Sequence, residues 1–478
     1  MLSAPTRIGL LVVSCLVTSV ASAEPEAGGN PSEPESLAPA LPELPEEAAA
    51  AKHEVVLEAE NLHERIDALE DALRGMQQRL SVAERRMSLA ERLTFHGFVD
   101  FGFFQPQGDG SGWRQDFANQ AFPRYAGQYG WVFYGDILAP MVNTRGEAAD
   151  LGDAPGADRF DSIDSGGAPG FVVSEVNTRL SFALARSVIL TTSVNFVPRT
   201  GSEFSLGDFI ELDIAQLEWI VDEDQTTSIF AGKIESVIGV EYKERRADRR
   251  FGITPSLIQR YTSGPQLGLK VRSRLFSDWL IVAAAVTNGS STVEPFHFYN
   301  EIDTNAGKTV SGRVALRAPL DALGSLFDGH RLEVGVSGEL GAQDRATGVD
   351  GKTWFAGVDL EYLSTDLSVK GMLLIGASDG DPAQNVWSLD LDLGGYLEVD
   401  YNVWGPIGVL GRFGFRDAFV ALGDERAYVT RSWRVTAGLR AVISHHIVLK
   451  AEYLLNGEYG GVPKIENDVI TSSLVLRY

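Results

Sequence analysis

The sequence predicts an all-β fold, an antiparallel transmembrane β-barrel of about sixteen strands, preceded by an N-terminal α-helical coiled coil. Three observations predict it. From residue 94 to residue 478, apolar and polar side chains alternate with period two over segments about ten residues long. Tight connections interleave with long ones along that region, and residues 52–93 carry an apolar heptad.

The amino terminus comes first. Residues 1–23 read as a secretory signal peptide: Arg7, an apolar run from Ile8 to Val20, then Ala21-Ser22-Ala23 before Glu24. The one cysteine, Cys15, lies inside that segment, so the mature chain is expected to have no disulfide and no cysteine-bound metal. Residues 24–51 are rich in Pro, Glu and Ala, with too little apolar surface to offset the entropy of ordering, and read as a flexible linker. In residues 52–93, Val55, Ala59, Leu62, Ile66, Leu69, Leu73, Met76, Leu80, Ala83, Met87 and Ala90 recur at spacings of four and three. That is a coiled-coil seam, and it implies a homo-oligomer with the coiled coil in the periplasm.

The barrel is expected over residues 94–478, with strands starting near 94, 170, 187, 209, 225, 264, 278, 307, 329, 352, 366, 387, 405, 430, 445 and 469. In one of them Leu389, Leu391, Leu393, Leu397 and Val399 alternate with Asp390, Asp392, Glu398 and Asp400. Such strands present an apolar face to lipid and a polar face to the lumen. Short turns at 185–187, 222–224, 277–278, 364–365 and 444–445 alternate with long connections such as 105–169, 235–263 and 289–306. That parity puts both barrel ends on the periplasmic side. The last strand ends on Leu474, Leu476 and Tyr478, as in the strands that the barrel-assembly machinery recognises. Phe95, Trp279, Trp354, Tyr362, Trp387, Tyr401, Trp404, Trp433 and Tyr453 fall near strand ends, where interfacial girdles belong. The expected surroundings are outer-membrane lipid and lipopolysaccharide of a Gram-negative cell.

A net charge of −24 excludes a nucleic-acid binder, which needs a basic face to offset phosphate charge. Enzymatic readings fail as well. Gly307-Lys308-Thr309 and Gly351-Lys352-Thr353 lack the upstream glycine of a phosphate-cradling loop, and His445-His446 at a turn point to opposite faces. No nucleophile elbow or zinc-protease motif is present, so no enzyme, cofactor or metal is expected.

The segment Gly232-Lys233-Ile234-Glu235-Ser236-Val237-Ile238-Gly239-Val240-Glu241 resembles the end of the fifth strand in the phosphate-selective porin O and P family. Val237 stands where that family prefers Pro. The resemblance covers about ten residues in motif, and most of the mature chain in organisation. It implies a trimer, an outer loop folded into the lumen, and an anion-preferring pore. The function expected is therefore passive diffusion of small hydrophilic solutes, with a structural outer-membrane anchor or tether as the alternative.

Candidate site residues follow from charge. The loop after strand five carries Lys243, Arg245, Arg246, Arg249, Arg250 and Arg260, expected at the pore constriction, where permanently charged guanidinium groups suit anions. Lys270, Arg272 and Arg274, with Arg313 and Arg317, are expected to form a basic track on the lumen wall. Glu211, Asp213, Asp359, Glu361, Asp390, Asp392, Glu398 and Asp400 are expected on lumen faces opposite, giving a transverse field. Arginines in this setting also pair with acids and simply satisfy them. The aromatic-rich stretch from Ser111 to Gly167 plugs the lumen, covers the mouth or packs between subunits; the sequence leaves these open.

Overall fold

A computed structural model of the chain describes residues 92–106, 141–143, 169–196, 210–262, 265–288, 307–324, 327, 329–343, 351–380, 388–422, 426–429, 431–459 and 468–478. The signal peptide, the linker and nearly all of the coiled coil lie outside these residues. So does the insertion after the first strand, save the short strand Met141–Asn143. The chain divides into two units, Met1–Arg86 and Met87–Tyr478, and all described residues belong to the second.

Sixteen long strands make the wall: β1 (Leu93–Pro106), β2 (Gly170–Ala185), β3 (Val188–Phe196), β4 (Ile210–Ile220), β5 (Thr227–Glu235), β6 (Pro265–Leu275), β7 (Leu280–Asn288) and β8 (Lys308–Pro319). They continue with β9 (Arg331–Gln343), β10 (Gly351–Leu363), β11 (Leu367–Ser378), β12 (Ser388–Trp404), β13 (Ile407–Leu422), β14 (Ser432–Ser444), β15 (Ile447–Glu458) and β16 (Val469–Arg477). Each pairs antiparallel with its sequence neighbour, and β1 pairs with both β2 and β16. The sheet therefore closes on itself and leaves no free edge. The short strands Met141–Asn143 and Arg426–Val429 pair with each other and extend β13 at the end away from the termini. Every strand start expected from the alternation lies within two residues of the start observed.

Alternation decides which way each strand faces. On β8, Val310, Val314 and Leu316 are 56%, 45% and 65% exposed, while Ser311, Arg313 and Ala315 between them are buried. The same holds for Val334 and Val336 on β9, and for Leu439 on β14, against buried Glu333, Ser337 and Arg434. Apolar side chains thus form the outside and charged ones the inside. A water-soluble protein inverts that order, and a continuous outward apolar band is what a bilayer demands. No helix among the described residues is long and apolar enough to cross a membrane, so crossing falls to the strands.

Connections 186–187, 221–226, 276–279, 320–330, 364–366, 405–406 and 445–446 share one end of the barrel with Leu93 and Tyr478; the remaining connections, among them the longest, lie at the other. Exposed Phe95, Trp219, Phe276, Trp279, Tyr401, Trp404 and Tyr478 gather near the short-turn end, as an interfacial girdle should. Closure there is tight. The backbones of Gly97 and Tyr478 exchange two hydrogen bonds of 3.1 and 3.0 Å, and the Tyr478 hydroxyl lies 2.8 Å from Thr178 Oγ1. A Cβ on Gly97 would come 2.3 Å from the Asn177 carbonyl oxygen, so the seam has room only for glycine.

One expectation from sequence is corrected here. Asp390 and Asp392 are exposed, while Leu389 and Leu391 are 1% and 2% exposed on the inward phase. A bulge between Leu391 and Leu393, where two residues of β12 face one of β13, inverts the phase. Beyond it Glu398 and Asp400 face inward as expected. The side chain of Glu211 is outside the described residues.

Candidate functional site: the loop inside the barrel

The connection from β5 to β6, residues 236–264, does not stand out from the rim. Its described part, 236–262, makes hydrogen bonds, ion pairs or packing contacts with lumen-facing residues from β2 to β16. It leaves β5 through Gly239, whose φ of +66° favours glycine and whose Cβ position lies 2.6 Å from Met372 Sδ. Gly239 N donates to Ser337 Oγ on β9 at 3.2 Å. The 3₁₀ turn Glu241–Glu244 then crosses β9 to β11. Lys243 Nζ lies 3.3 Å from Glu361 and 4.0 Å from Glu333, and Lys370 on β11 donates to Glu244 at 2.6 Å.

Beyond this turn the loop reaches strands at the start of the sheet. Arg245 pairs with Asp213 on β4 at 2.6 Å; Arg246 pairs with the same Asp213 and, at 2.6 Å, with Glu175 on β2. All four side chains are at most 2% exposed, so each charge is compensated where water cannot do it. The chain next meets β15. Lys450 Nζ donates to the carbonyl oxygens of Ala247, Arg250 and Gly252 at 2.7, 2.6 and 2.8 Å. Two residues on, Glu452 accepts from the backbone nitrogens of Ile253 and Thr254 at 2.6 and 3.0 Å and from the Thr254 hydroxyl at 2.7 Å. A strand's period of two puts both side chains on one face, so a cation takes the loop's carbonyls and an anion its N–H groups. Arg412 on β13 holds the Thr254 carbonyl at 2.7 Å and Glu398 at 3.0 Å, and Tyr261 stacks on Phe355 of β10 before the chain rejoins the wall as β6.

The loop is braced across its own middle as well. Glu241 accepts from Ser256 N at 2.8 Å and Ser256 Oγ at 2.5 Å, while Arg250 reaches the carbonyls of Ile253 and Arg245 at 2.5 and 2.6 Å. Burial lifts the Glu241 carboxyl above its ordinary value despite the Ser256 bonds, and burial likewise lifts Glu244, against the pull of Lys370. Apolar contacts complete the structure: Ala247 packs with Phe98, Val448 and Val475, and Val237 with Phe230, Ile234 and Ala285. Inward-facing wall residues at this level, from Asp100 and Glu175 round to Arg434 and Ser473, are nearly all under 9% exposed. The loop and wall together form a septum across the bore.

The expected site residues distribute as follows. Lys243, Arg245, Arg246 and Arg250 all lie in the septum, in ion pairs or on backbone carbonyls. Arg249 is exposed, with no side-chain partner among the described residues. Arg260 sits in the helical turn Gln259–Thr262, and its side chain is outside the described residues. On the wall, Lys270 donates to the Glu235 carbonyl at 3.0 Å and lies 4.7 Å from the Phe230 ring centroid. Arg272 lies 3.6 Å from Glu218, and Arg274, at the short-turn end, 3.5 Å from Asp278. Arg313 pairs with Asp359 at 2.5 Å and Glu333 at 2.8 Å, and Arg317 with Glu333 at 2.9 Å. The expected division into a basic and an acidic wall is therefore replaced, on β8 to β10, by pairing between neighbours. Sequence reasoning passed over Glu175, Glu333, Lys370, Arg412, Lys450 and Glu452. Their one signal was a charge on the inward phase of an alternating strand.

A closed barrel with an apolar outside and a charged inside, crossed by its own loop, defines the class: a large transmembrane β-barrel of channel architecture. No family model and no curated protein matches the chain. Among solved structures, the outer membrane channel DcaP of Acinetobacter baumannii is similar at 10% identity and a TM-score of 0.48, over 81% of this chain and 97% of that one. A loop L8 deletion mutant of OmpT, an outer membrane protein of Vibrio cholerae, gives 12% and 0.46 over 81% and 99%. Salmonella typhi OmpF in complex with daunomycin gives 8% and 0.46 over 81% and 97%. At these identities the likenesses concern the fold alone.

Proposed function

We propose that the protein is an outer-membrane porin, a narrow water-filled channel for passive diffusion of small hydrophilic solutes, preferring anions of the phosphate type. The observation that carries this reading is the loop 236–262 fixed inside a closed, lipid-facing barrel by charged residues of the wall. An interior rich in fixed charge is expensive to build and serves no purpose in a sealed rod; it suits hydrated solutes passing close to the wall. Anion preference rests on cations that carry exposed surface inside the barrel, chiefly Arg249, with Lys243 at 37% side-chain exposure. Arrangement as a trimer, insertion through the barrel-assembly machinery and the periplasmic coiled coil belong to the same proposal.

The second reading is a structural anchor or tether. One observation favours it: the nearly continuous burial of inward-facing side chains at the level of the septum. Planar-bilayer recording of the purified protein, with the reversal potential taken in a salt gradient, separates the two. Stable steps with an anion-preferring potential support the porin; a folded oligomer without conductance leaves the anchor.

A further inference from the structure

Charge also appears on the outside of the barrel, and there it is ordered. On β5, Lys233 takes the phase of Ile229 and Ala231, opposite the inward Phe230 and Ile234. On β8, exposed Lys308 continues the outward phase of Val310 and Val314; on β10, exposed Lys352 continues that of Trp354 and Val358. Each lysine stands at the long-loop end of its strand. The register sets all three on one row around the wall. Lys233 pairs with Leu267 of β6, which lies one step from the Gly268–Thr287 pair; Asn288, the next residue of β7, pairs with Lys308. Lys308 in turn lies two steps from the Val310–Leu340 pair, level with Ala342 of β9, and Ala342 pairs with Lys352. Neighbouring strands are roughly 4.8 Å apart, so Lys308 lies about 14 Å from Lys233 and about 10 Å from Lys352 along the row.

A lysine on a lipid-facing wall is costly at the bilayer centre and tolerated where its stem carries the charge into the headgroup layer. A row of three therefore marks the depth of that layer at the long-loop end. At the other end the same arc is apolar, with exposed Leu275 and Leu316 followed by Phe276 and Trp279. The row also has a limit. Exposed Asp379, just after β11, donates its backbone nitrogen to the Lys352 carbonyl at 2.9 Å. Beyond it the outward phase carries Asp390 and Asp392 on β12, and Asp417 on β13, which pairs with Arg431 at 2.8 Å. Glu235, two residues after Lys233, is in electrostatic reach of Lys270 and Tyr242. Among the described residues, the outer wall at the long-loop end is thus basic over β5–β10 and acidic over β11–β13.

We propose that Lys233, Lys308 and Lys352 form a docking surface on the outside of β5–β10 for a phosphorylated lipid of the outer leaflet, of the lipopolysaccharide class. Its phosphates meet the lysine row, and its acyl chains lie on the exposed Leu269, Val271, Val310, Val314 and Leu316 beneath. An ammonium on a four-carbon stem suits a phosphate that arrives with no fixed orientation, and clustered lysines at a membrane surface select anionic headgroups. A headgroup with two phosphates can engage Lys308 together with one of its neighbours, whereas a headgroup with one cannot. The inference rests on the placement of the barrel in the outer membrane with its long loops outward, and not on conduction.

The test uses the whole purified protein in detergent and diphosphorylated lipid A, with binding read by native mass spectrometry at constant ionic strength. Attraction of one lysine to an anionic headgroup is worth about fivefold, so Lys308→Gln with Lys352→Gln should bind roughly twenty-five-fold more weakly. Both lysines are exposed at strand ends, and heat-modifiable migration on gels verifies that the double variant is folded. Monophosphorylated lipid A should bind the unaltered protein more weakly than the diphosphorylated form. Arg331→Gln, which removes an exposed cation from the short-turn end of β9, should bind as the unaltered protein does. Inorganic phosphate in excess should not displace the lipid, because it brings no acyl chains. Binding unchanged in the double variant, weakened equally by Arg331→Gln, displaced by inorganic phosphate, or absent altogether overturns the docking surface. Bilayer recording keeps the two readings apart: lipid binding without current removes the porin and leaves the surface, and current without lipid binding does the reverse.

Discussion

Replacing Lys450 by Met keeps the side chain's length and apolar stem while removing its charge and all three donors. The carbonyls of Ala247, Arg250 and Gly252, now held at 2.6 to 2.8 Å, would be left in a site where the lysine itself is 3% exposed. Breaking a buried charged interaction by deleting one partner costs about 3–5 kcal/mol. The cost is local, because the β14, β15 and β16 ladders do not depend on the Lys450 side chain. It therefore shifts the equilibrium between docked and released loop by roughly a hundredfold to several thousandfold, at about 1.4 kcal/mol per tenfold. Segment 247–252 should detach from the wall first, since Glu452 and Arg412 still hold the loop just beyond it at Ile253 and Thr254. Single-channel recording should then show larger and noisier steps than the unaltered protein, and limited proteolysis should cut within 247–252. Unaltered step size and an uncut loop in Lys450→Met would refute the claim that this lysine pins the septum.

Arg246→Gln leaves Glu175 and half of the Asp213 pairing stranded in a buried site, and should lower the thermal unfolding temperature in detergent through a loss of about 3–5 kcal/mol. Glu241 and Glu244 have carboxyls raised by burial, so between their unfolded and folded values the native state binds more protons. The cost of keeping them charged is present above the raised values and is relieved as pH falls through them. Thermal scans should show this component rising on mild acidification, and Glu241→Gln with Glu244→Gln should flatten it. Asp222 behaves oppositely: bonds from the Thr226 hydroxyl and backbone hold its carboxyl below the usual value, so its contribution to the turn is present above that usual value and lost as pH falls through the lowered one. Gly97→Val drives a side chain into the Asn177 carbonyl at the β1–β2–β16 seam, and heat-modifiable migration on gels should show a loss of closed barrel.

The wall was legible in the sequence because lipid outside and water inside impose a period of two on every strand, and turns at one end are short. Val310, Val314 and Leu316 against Ser311 and Arg313 carry that signal without help from elsewhere in the chain. What escaped has non-local causes. Phe98, Val448 and Val475 face inward although apolar, because Ala247 of the loop covers them, and no strand pattern announces a cover from another part of the chain. The bulge in β12 sits inside an unbroken alternation from Ser388 to Asp400, so the phase of Asp390 and Asp392 was read through it. The loop's cations were visible as a cluster, but their pairing was not. Arg245 and Arg246 find Asp213 and Glu175 only after the barrel has brought β2 and β4 beside residues far along the chain.

The most direct test places a thiol in the septum. Cys15 is the only cysteine of the chain and lies in the expected signal peptide, so Arg249→Cys supplies the sole thiol of a processed protein. A small, negatively charged thiol reagent applied to a recorded channel should lower the current in discrete steps and shift the reversal potential away from anions, because Arg249 is exposed inside the barrel. Unchanged current and potential after modification confirmed by mass would contradict a conducting path that runs past this loop.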